Sequence, residues 1–367
     1  MQDNNKKTVQ TKLLTESHED ILVAAEILKN GGLVAFPTET VYGLGGNALS
    51  PEASGAIYAA KGRPSDNPLI VHICNTASVS ELAENITEKA KILMEAFWPG
   101  PLTIILPKKD IVPDATTGGL KTVAIRMPSH PAALALIRES GVYIAAPSAN
   151  LSGRPSPTTA QHVAEDMNGR IEAIIDGGPV GIGIESTIVD LSSDIPTILR
   201  PGYITKKMLE ELIGEVSIDP TLIHPDPNIR PKAPGMKYTH YAPVGELSII
   251  ERNEDASDSS SEEKKSEGEA AVADTINALY NKKKSEGFTV KILAPSEHSH
   301  FYNEEDLISV GSTASGITVA ARLYGALRDC DEAGADFIYS ESFKDYELGG
   351  AIMNRLLKAA GHRVIYV

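Results

Sequence analysis

The sequence predicts an α/β protein that is built from two units joined by a proline-rich linker. Short apolar runs typical of β-strands alternate with amphipathic helical segments along most of the chain. The composition changes at Asp219, after which prolines are frequent and no hydrophobic period is visible as far as Ala233. The 367 residues, of which 42% are hydrophobic, are sufficient for two separate cores.

Charge and cysteine content exclude several classes of protein. A formal net charge of −15 argues against a surface that binds nucleic acid or anionic membrane over its whole extent, although a local basic patch stays open. Cys74 and Cys330 form neither a disulfide framework nor a CxxC metal motif. The N-terminal stretch has no signal-peptide core, and no run approaches the roughly 20 apolar residues of a membrane helix. We therefore expect a cytoplasmic protein with a short frayed start.

Helices of the first unit are predicted from their start and stop signals. Residues 20–30 have helical spacing and end at Gly31-Gly32, whereas residues 51–60 end at a glycine and a proline. Ser156 or Thr158 is expected to cap a later helix. Further helices are predicted at 87–97, 131–140 and 208–213, and strands at 33–36, 67–72, 102–106, 122–128, 142–146, 173–175, 188–191 and 198–200.

Polar side chains follow the first apolar strand at the point where it ends. Thr38 and Glu39 lie in a Pro-Thr-Glu-Thr segment, and ligands of open α/β sheets sit at the carboxyl ends of strands. Gly43, Gly45 and Gly46 come next and either permit close approach of a ligand or form a plain turn. Their spacing is neither a dinucleotide-binding fingerprint nor a phosphate loop.

Several cations stand at the ends of predicted elements of the first unit. Lys61 and Arg63 either complement a helix dipole or bind an anion, and His72 is either structural or a ligand contact. Cations together with directional donors are what a polyphosphate site requires. No serine is tied by motif to a base, so chemistry by positioning and charge stabilisation is favoured over covalent hydrolysis. The candidate groups are Thr38, Lys61, Arg63, Thr122, Arg126, Ser148, Asn150, Ser156, Ser186 and Arg200.

The second unit is predicted as a small parallel α/β sheet. Its first strand, 246–250, is followed by an acidic insertion at 251–270 that we expect to be disordered. Helices at 271–284, 318–330 and 349–360 then alternate with strands at 288–293, 336–339 and 363–367. The sequence of this unit contains no phosphate loop, metal cluster or acid pair.

The order of short motifs resembles the YrdC/Sua5 family in its two-domain Sua5 form. The resemblance spans roughly residues 17–245 and is weaker afterwards, where GGAIMNRLLKAA at 349–360 matches. The matching motifs are FPTETVYGL at 36–44, KGRPSDNPLIVHI at 61–73, WPGPLT at 98–103, AIRMPSHP at 124–131, AAPSANLSGRPSPT at 145–158, GIESTIVD at 183–190, LRPG at 199–202 and APGMKYTHYAP at 233–243.

The resemblance implies a fold and a division into domains. A twisted-sheet YrdC-like domain with a concave ligand groove is expected at 17–215, and a linker that closes over the active site at 216–245. A small Rossmann-like parallel α/β Sua5 domain is expected at 246–367. Tyr238, and less strongly Tyr241, lie in that linker, where excluding water would protect a labile intermediate.

The resemblance also implies an activity and a role for each matching residue. The family joins L-threonine, bicarbonate and ATP into threonylcarbamoyl-AMP and pyrophosphate, a nucleotidyl transfer that serves t6A formation in tRNAs reading ANN codons. Magnesium is expected with ATP rather than at a protein metal site, and the product is expected to pass to a t6A transferase complex. By motif, Lys61 and Arg63 would be catalytic, and the ATP site would comprise Lys61, Arg63, Thr122, Ser148, Asn150, Ser156, Arg200 and Tyr238. The threonine site would comprise Thr38, His72, Arg126 and Ser186.

Two other interpretations of the sequence stay open. One is a non-catalytic RNA-binding module, in which a basic concave face contacts tRNA weakly; steep salt dependence of binding would identify it. The other is a carbamoyl-transfer enzyme with a YrdC-type site, although such proteins carry extra catalytic domains or zinc-binding cysteines that this sequence lacks.

Overall fold

A computed structural model describes residues 9–222, 231–234, 241–253, 262–346 and 348–367, with the backbone alone for 262–266. These residues fall into two compact units. The first contains the described residues up to 152 and those from 156 to 234. The second contains Gly153–Pro155 and the described residues from 241 onward.

The described part of the first unit forms one eleven-stranded sheet with helices packed against it. Its strands are β1 (Lys12–Leu14), β2 (Val34–Phe36), β3 (Gly43–Asn47), β4 (Ile70–His72), β5 (Leu102–Pro107), β6 (Thr122–Arg126), β7 (Ile144–Ala146), β8 (Ala173–Ile175), β9 (Thr187–Asp190), β10 (Thr197–Arg200) and β11 (Ser217–Ile218). Its helices are α1 (His18–Lys29), α2 (Pro51–Lys61), α3 (Val79–Leu82), α4 (Glu88–Phe97), α5 (Asp114–Thr117), α6 (Pro131–Ser140), α7 (Ala160–Met167) and α8 (Lys206–Ile213), with 3-10 turns at Thr76–Ser78 and Pro220–Leu222.

This sheet mixes parallel and antiparallel neighbours in the order β1-β8-β2-β3-β7-β4-β6-β5-β9-β10-β11. Apolar clusters cover both faces, one of them between the sheet and helices α1 and α6. Because both faces are covered, the strands consist almost wholly of buried residues. This explains why the sequence shows short continuous apolar runs rather than alternation.

Three local expectations for the first unit are wrong. The glycine-rich residues 43–47 are strand β3 and not a turn or ligand loop, because a side chain at Gly45 would collide with Ile144 and Phe36 on neighbouring strands. Residues 12–14 are not frayed, since β1 pairs with β8. Helix α7 is capped by Thr159, one residue beyond Thr158.

The second unit is a five-stranded parallel sheet with the order β14-β13-β15-β12-β16. The chain moves from β12 outward to β14 and then returns, so the connections that leave the neighbouring strands β12 and β15 run in opposite directions. Its strands are β12 (Glu246–Glu251), β13 (Val290–Ala294), β14 (Leu307–Ser309), β15 (Phe337–Glu341) and β16 (Val364–Tyr366). Its helices are α9 (Glu262–Ser285), α10 (Gly316–Glu332) and α11 (Gly349–Ala359), with a 3-10 turn at Ser296–Phe301.

The expectation of disorder throughout the acidic insertion 251–270 is wrong for most of its length. Glu251 ends strand β12, and helix α9 begins at Glu262, nine residues before the predicted start. Glutamate, lysine and alanine favour helix. The buried side chains of Val272 and Ile276 also pack α9 against the sheet. Residues 254–261 lie outside the described part. Strand β14 was not predicted from sequence.

In the parts of the chain that the structure describes, no helix combines the length and the apolar character that crossing a membrane requires.

Candidate active site

One row of paired residues runs across the middle of the first sheet. His72 at the end of β4 is paired with Arg126 on β6, and Arg126 is paired with Thr103 on β5. Thr103 is in turn paired with Ile188, which is paired with Arg200 on β10. Since residues paired across strands point to the same face of a sheet, the register brings the predicted His72, Arg126 and Arg200 together. Residues separated by up to 128 positions thus form one polar surface.

Arg126 is buried and its guanidinium is held by three neighbours. Its Nη1 donates to Thr40 Oγ1 at 2.9 Å, and its Nε donates to the Gly100 carbonyl at 3.3 Å. Its Nη2 lies 2.7 Å from Glu39 Oε1, yet neither atom has an aligned hydrogen-bond partner among the described residues. The contact is therefore an ion pair that leaves directional bonding capacity unused. The planar group is fixed in place with N–H groups still available.

Thr38 and Thr40 connect the first polar loop to this arginine. Thr38 Oγ1 donates to the Val41 carbonyl at 2.6 Å and lies 2.9 Å from Thr40 Oγ1. The Thr40 hydroxyl accepts from Arg126, as described above. The predicted Thr38 is consequently part of the same network, although its hydroxyl is already engaged in closing the turn.

Ser186 lies at the other end of the row and contacts two of its members. Its hydroxyl is 2.8 Å from Thr103 Oγ1 and accepts from Arg200 Nη2 at 3.1 Å. Arg200 Nε also donates to the Ser186 carbonyl at 3.0 Å. The structure thus brings together all four predicted threonine-site residues and Arg200.

His72 is a neutral imidazole at ordinary pH. Burial, followed by the charge of Arg126, lowers the pKa of His72 to about 3. Its Nδ1 is 3.1 Å from the Ile70 carbonyl, and the backbone of Ile144 also contacts the ring; in the tautomer with the proton on Nδ1, this nitrogen donates to Ile70. Nε2 is then left as an acceptor. Such a group can receive a hydrogen bond from a ligand but does not supply positive charge.

Lys61 holds the loop at Ser148–Asn150. Its ammonium donates to the carbonyls of Ser148 and Asn150 at 2.5 and 2.6 Å and approaches Asn150 Oδ1 at 3.4 Å. The ammonium is fully buried, and this burial, together with the charge of Arg63, lowers the pKa of Lys61 well below its usual range. A lysine has three N–H donors, and here all of them point to the loop.

The other residues predicted to bind the nucleotide differ in how far the structure connects them to the site. Ser148 Oγ donates to Asn150 Oδ1 at 2.5 Å, and Ser156 Oγ donates to the buried Glu185 at 2.7 Å. Glu185 precedes Ser186, so this bond joins the two halves of the site. Thr122 begins β6 and lies roughly 13 Å along the strand from Arg126 at about 3.3 Å per residue. Arg63 follows Gly62, the C-cap of α2.

Of the two tyrosines predicted in the linker, only Tyr241 is among the described residues. Tyr238 lies outside the described residues, so its predicted contact with ATP stays a prediction. Tyr241 is buried in the second unit, where its ring centroid is 5.0 Å from that of Tyr324.

Sequence reasoning gave no specific role to five polar residues, of which four contact the site, namely Glu39, Thr40, Thr103 and Glu185, and the fifth is the buried Asn67. Asn67 is completely buried, and neither atom of its amide has a hydrogen-bond partner among the described residues. A buried amide left unpaired is costly, and a ligand that pairs it would recover that cost. Each of the five lies inside a motif quoted above, which was the only available signal.

No group of three carboxylate, histidine or cysteine side chains that could hold a metal ion occurs in the described ranges. The polar groups of the site are hydroxyls, amides and cations, with the carboxylates of Glu39 and Glu185 engaged by Arg126 and Ser156. These residues suit an anionic ligand.

Comparison with known proteins assigns both units. The family model Sua5_yciO_yrdC, described as "Telomere recombination", matches residues 26–202. The model Sua5_C, described as "Threonylcarbamoyl-AMP synthase, C-terminal domain", matches residues 204–361.

Two relatives match this chain along nearly its whole length. The threonylcarbamoyl-AMP synthase of Bacillus subtilis is 52% identical, with 97% of each chain covered. That of Pyrococcus abyssi is 47% identical, with 95% of this chain and 96% of the relative covered. The crystal structure of P. abyssi Sua5 complexed with L-threonine superposes with a TM-score of 0.87 at 45% identity, covering 97% of this chain and 99% of that one.

Proposed function

The chain belongs to the two-domain Sua5 family, and from this premise we propose that it is an L-threonylcarbamoyladenylate synthase. It joins L-threonine, bicarbonate and ATP into threonylcarbamoyl-AMP and releases pyrophosphate. Two relatives that match nearly the whole chain carry the name of this enzyme, and the similar crystal structure of P. abyssi Sua5 is a complex with L-threonine. The single observation in this chain that carries the proposal is the buried polar row around Arg126.

The amino-acid subsite lies along this row. Arg126 retains N–H groups for a carboxylate, and a guanidinium binds a carboxylate through two parallel hydrogen bonds. Neutral His72 presents an acceptor, and Ser186 presents a hydroxyl. A small amino acid with a hydroxyl side chain matches a subsite that has one cation, one acceptor and several hydroxyls.

The nucleotide subsite comprises Arg63, Thr122, Ser148, Asn150, Ser156 and Arg200, with Tyr238 from the linker. Asn67 joins this set because its buried amide is unpaired and it follows Arg63 in the same motif. Lys61 acts through the loop that its ammonium holds, so it shapes the positions of Ser148 and Asn150. Magnesium enters as part of the Mg·ATP substrate, bound through the phosphates rather than by a protein site.

The residues accomplish the reaction by placement and charge. The amine of threonine combines with carbon dioxide from bicarbonate to give a carbamate. A carbamate oxygen then attacks the α-phosphorus of ATP; the bond from that phosphorus to the bridging oxygen breaks, and pyrophosphate leaves. Arg63 and Arg200 offset the phosphate charge, and Arg126 fixes the amino acid so that the reacting atoms meet in line. Burial of the row protects the carbamate from water.

We place this activity in the cytoplasm, in the synthesis of t6A in tRNAs that read ANN codons. The product passes to a t6A transferase complex, and any direct contact with tRNA is weak because the chain is strongly acidic. Cys74 and Cys330 are both free thiols, which fits a reducing compartment.

Pyrophosphate release from ATP tests the proposal when L-threonine and bicarbonate are omitted one at a time. We expect release only when both are present, because the carbamate must form before adenylylation. Release with threonine alone in bicarbonate-depleted buffer would indicate simple amino-acid activation and contradict the proposed reaction. Absence of release under every condition would mean that the chain is not this enzyme.

A further inference from the structure

Glu39 and Arg126 form a buried pair that is only partly satisfied. Their charged atoms, Glu39 Oε1 and Arg126 Nη2, are 2.7 Å apart, and both side chains are largely buried. Neither atom has an aligned hydrogen-bond partner among the described residues. A buried acceptor and a buried donor whose hydrogen-bonding capacity is not fully used are stabilised by a ligand that supplies the missing partners. The pair therefore presents one unused acceptor and one unused donor side by side.

The position of Glu39 is fixed by hydrogen bonds from two other segments of the chain. Its other carboxylate oxygen, Oε2, accepts from the Ser129 amide at 3.1 Å, and its backbone carbonyl accepts from the Ile182 amide at 2.9 Å. Glu39 is thereby tied to the loop after β6, which carries Arg126, and to the glycine-rich loop before β9.

Glu39 is an ionised carboxylate despite its burial. Burial by itself would raise the pKa of Glu39, but the charge and close approach of Arg126 and the Ser129 amide outweigh it and lower the pKa. A carboxylate in this state is a strong acceptor and a weak base. It suits the recognition of a positively charged donor rather than the removal of a proton.

We propose that Glu39 Oε1 accepts a hydrogen bond from the α-amino group of the amino acid whose carboxylate binds Arg126. An α-amino acid carries an ammonium and a carboxylate on one carbon, so a single ligand satisfies both unused atoms. The nitrogen keeps one N–H after carbamate formation, so the contact persists in the next intermediate. This assignment rests on the proposed function for the identity of the amino acid. It makes Glu39 the group that recognises the amine of the substrate.

The test compares two ligands and two variants in direct binding measurements. The ligands are L-threonine and β-hydroxybutyrate, which is threonine without its α-amino group. The variant Glu39→Gln keeps the shape of the side chain and removes its charge. Glu88→Gln is the matched control, because Glu88 forms an exposed ion pair with Lys91. Kd is measured by titration calorimetry, with weak ligands measured by displacement of threonine.

Wild-type protein is expected to bind β-hydroxybutyrate about 10- to 100-fold more weakly than threonine, the range of a hydrogen bond to a charged group. Glu39→Gln should weaken threonine binding by a similar factor and leave β-hydroxybutyrate binding unchanged. Equal weakening of both ligands would show that Glu39 acts only by holding Arg126 and would overturn the proposal. Unchanged threonine binding would also overturn it.

Two further readouts keep the test decisive. If Glu39→Gln does not fold, the wild-type comparison stands alone, and equal affinity for threonine and β-hydroxybutyrate overturns the proposal. Pyrophosphate release by the wild type is measured in parallel. A wild type that binds threonine through its amine but releases no pyrophosphate contradicts the proposed function and leaves the assignment of Glu39 intact.

Discussion

The two units both contain buried polar networks, but these networks are completed in different ways. In the first unit, Glu39 Oε1, Arg126 Nη2 and the Asn67 amide are buried without hydrogen-bond partners among the described residues. The second unit has a cleft of about 700 Å³ at the carboxyl end of its parallel sheet. No buried side-chain nitrogen or oxygen of the described cleft residues lacks a partner.

The cleft network is closed by its own side chains. Glu341 accepts from His298 Nδ1 at 2.8 Å and from the Tyr302 hydroxyl at 2.7 Å. Glu297 accepts from the Thr313 amide at 3.0 Å and from the Ser312 hydroxyl. Both positions follow parallel strands, where ligands of such sheets commonly bind. The cleft, whose polar groups pair with one another, thus differs from the site of the first unit, where Glu39, Arg126 and Asn67 keep buried atoms without hydrogen-bond partners among the described residues.

The largest effect is expected from Lys61→Ala, which would remove the ammonium that holds the Ser148–Asn150 loop. The two carbonyls lose their donors, and a displacement of about 1 Å at a reacting group can reduce rate by about 100-fold. We expect a loss of at least that size in kcat/KM for ATP, measured by pyrophosphate release. A folded variant with near-normal turnover would contradict the role of Lys61.

A smaller effect is expected from Arg126→Lys, which keeps the positive charge but loses the planar guanidinium and its paired N–H donors. An ammonium cannot reproduce the contacts with Thr40 and Gly100 and also bind a carboxylate through two bonds. We expect KM for threonine to rise about 10- to 100-fold, with KM for ATP little changed. Lys91→Arg, at an exposed position, is the control. An unchanged threonine KM would show that Arg126 does not bind the substrate.

Glu341→Gln in the second unit should affect stability and not substrate binding. It disrupts the hydrogen bonds from His298 and Tyr302, and we expect a loss of about 1–3 kcal/mol in the free energy of unfolding of that unit. Urea denaturation measures this loss, with KM for threonine as the parallel readout. A large change in threonine KM without loss of stability would make the cleft a ligand site and erase the difference between the units.

We also expect the effect of Glu341→Gln on stability to depend on pH. The hydrogen bond and charge of Glu341, opposed by burial, raise the pKa of His298 above its usual 6.5. A raised folded-state pKa gives stability that is fully present below about pH 6.5 and is lost as pH rises through the folded value. The stability difference between wild type and Glu341→Gln should therefore shrink in alkaline buffer. A difference that grows with pH would contradict the pairing.

The smallest effect is expected from deleting residues 254–261 of the acidic insertion. The flanking strand β12 and helix α9 keep their contacts, and the deleted residues include none assigned to the site. We expect unchanged kcat/KM in the pyrophosphate assay. A deletion extended to residue 270 would instead cut into α9 and cost stability. Lost activity in the shorter deletion would show that the insertion takes part in the reaction.

Motif order named several residues that the structure brings together, but it did not predict how they are arranged. His72, Arg126 and Arg200 could be named from strand ends, and the helix over 131–140 was predicted to the residue. The row that joins them depends on strand order, which is set by long-range packing and mixes parallel with antiparallel pairs. For the same reason the sequence predicts a turn or a ligand loop at Gly43–Asn47, where the structure has strand β3. The sequence showed Glu39 at a strand end, but only the distance to Arg126 gives it a role.

The most direct test of the contrast between the units is amide hydrogen exchange with and without L-threonine. The loops at 37–40 and 127–130 carry Glu39, Thr40 and Ser129, so threonine bound at Arg126 should slow exchange there. Exchange at 296–301 and 341–346, which surround the closed network of Glu341, should stay unchanged. Protection confined to the second set of segments would contradict the assignment of the amino-acid site to the first unit.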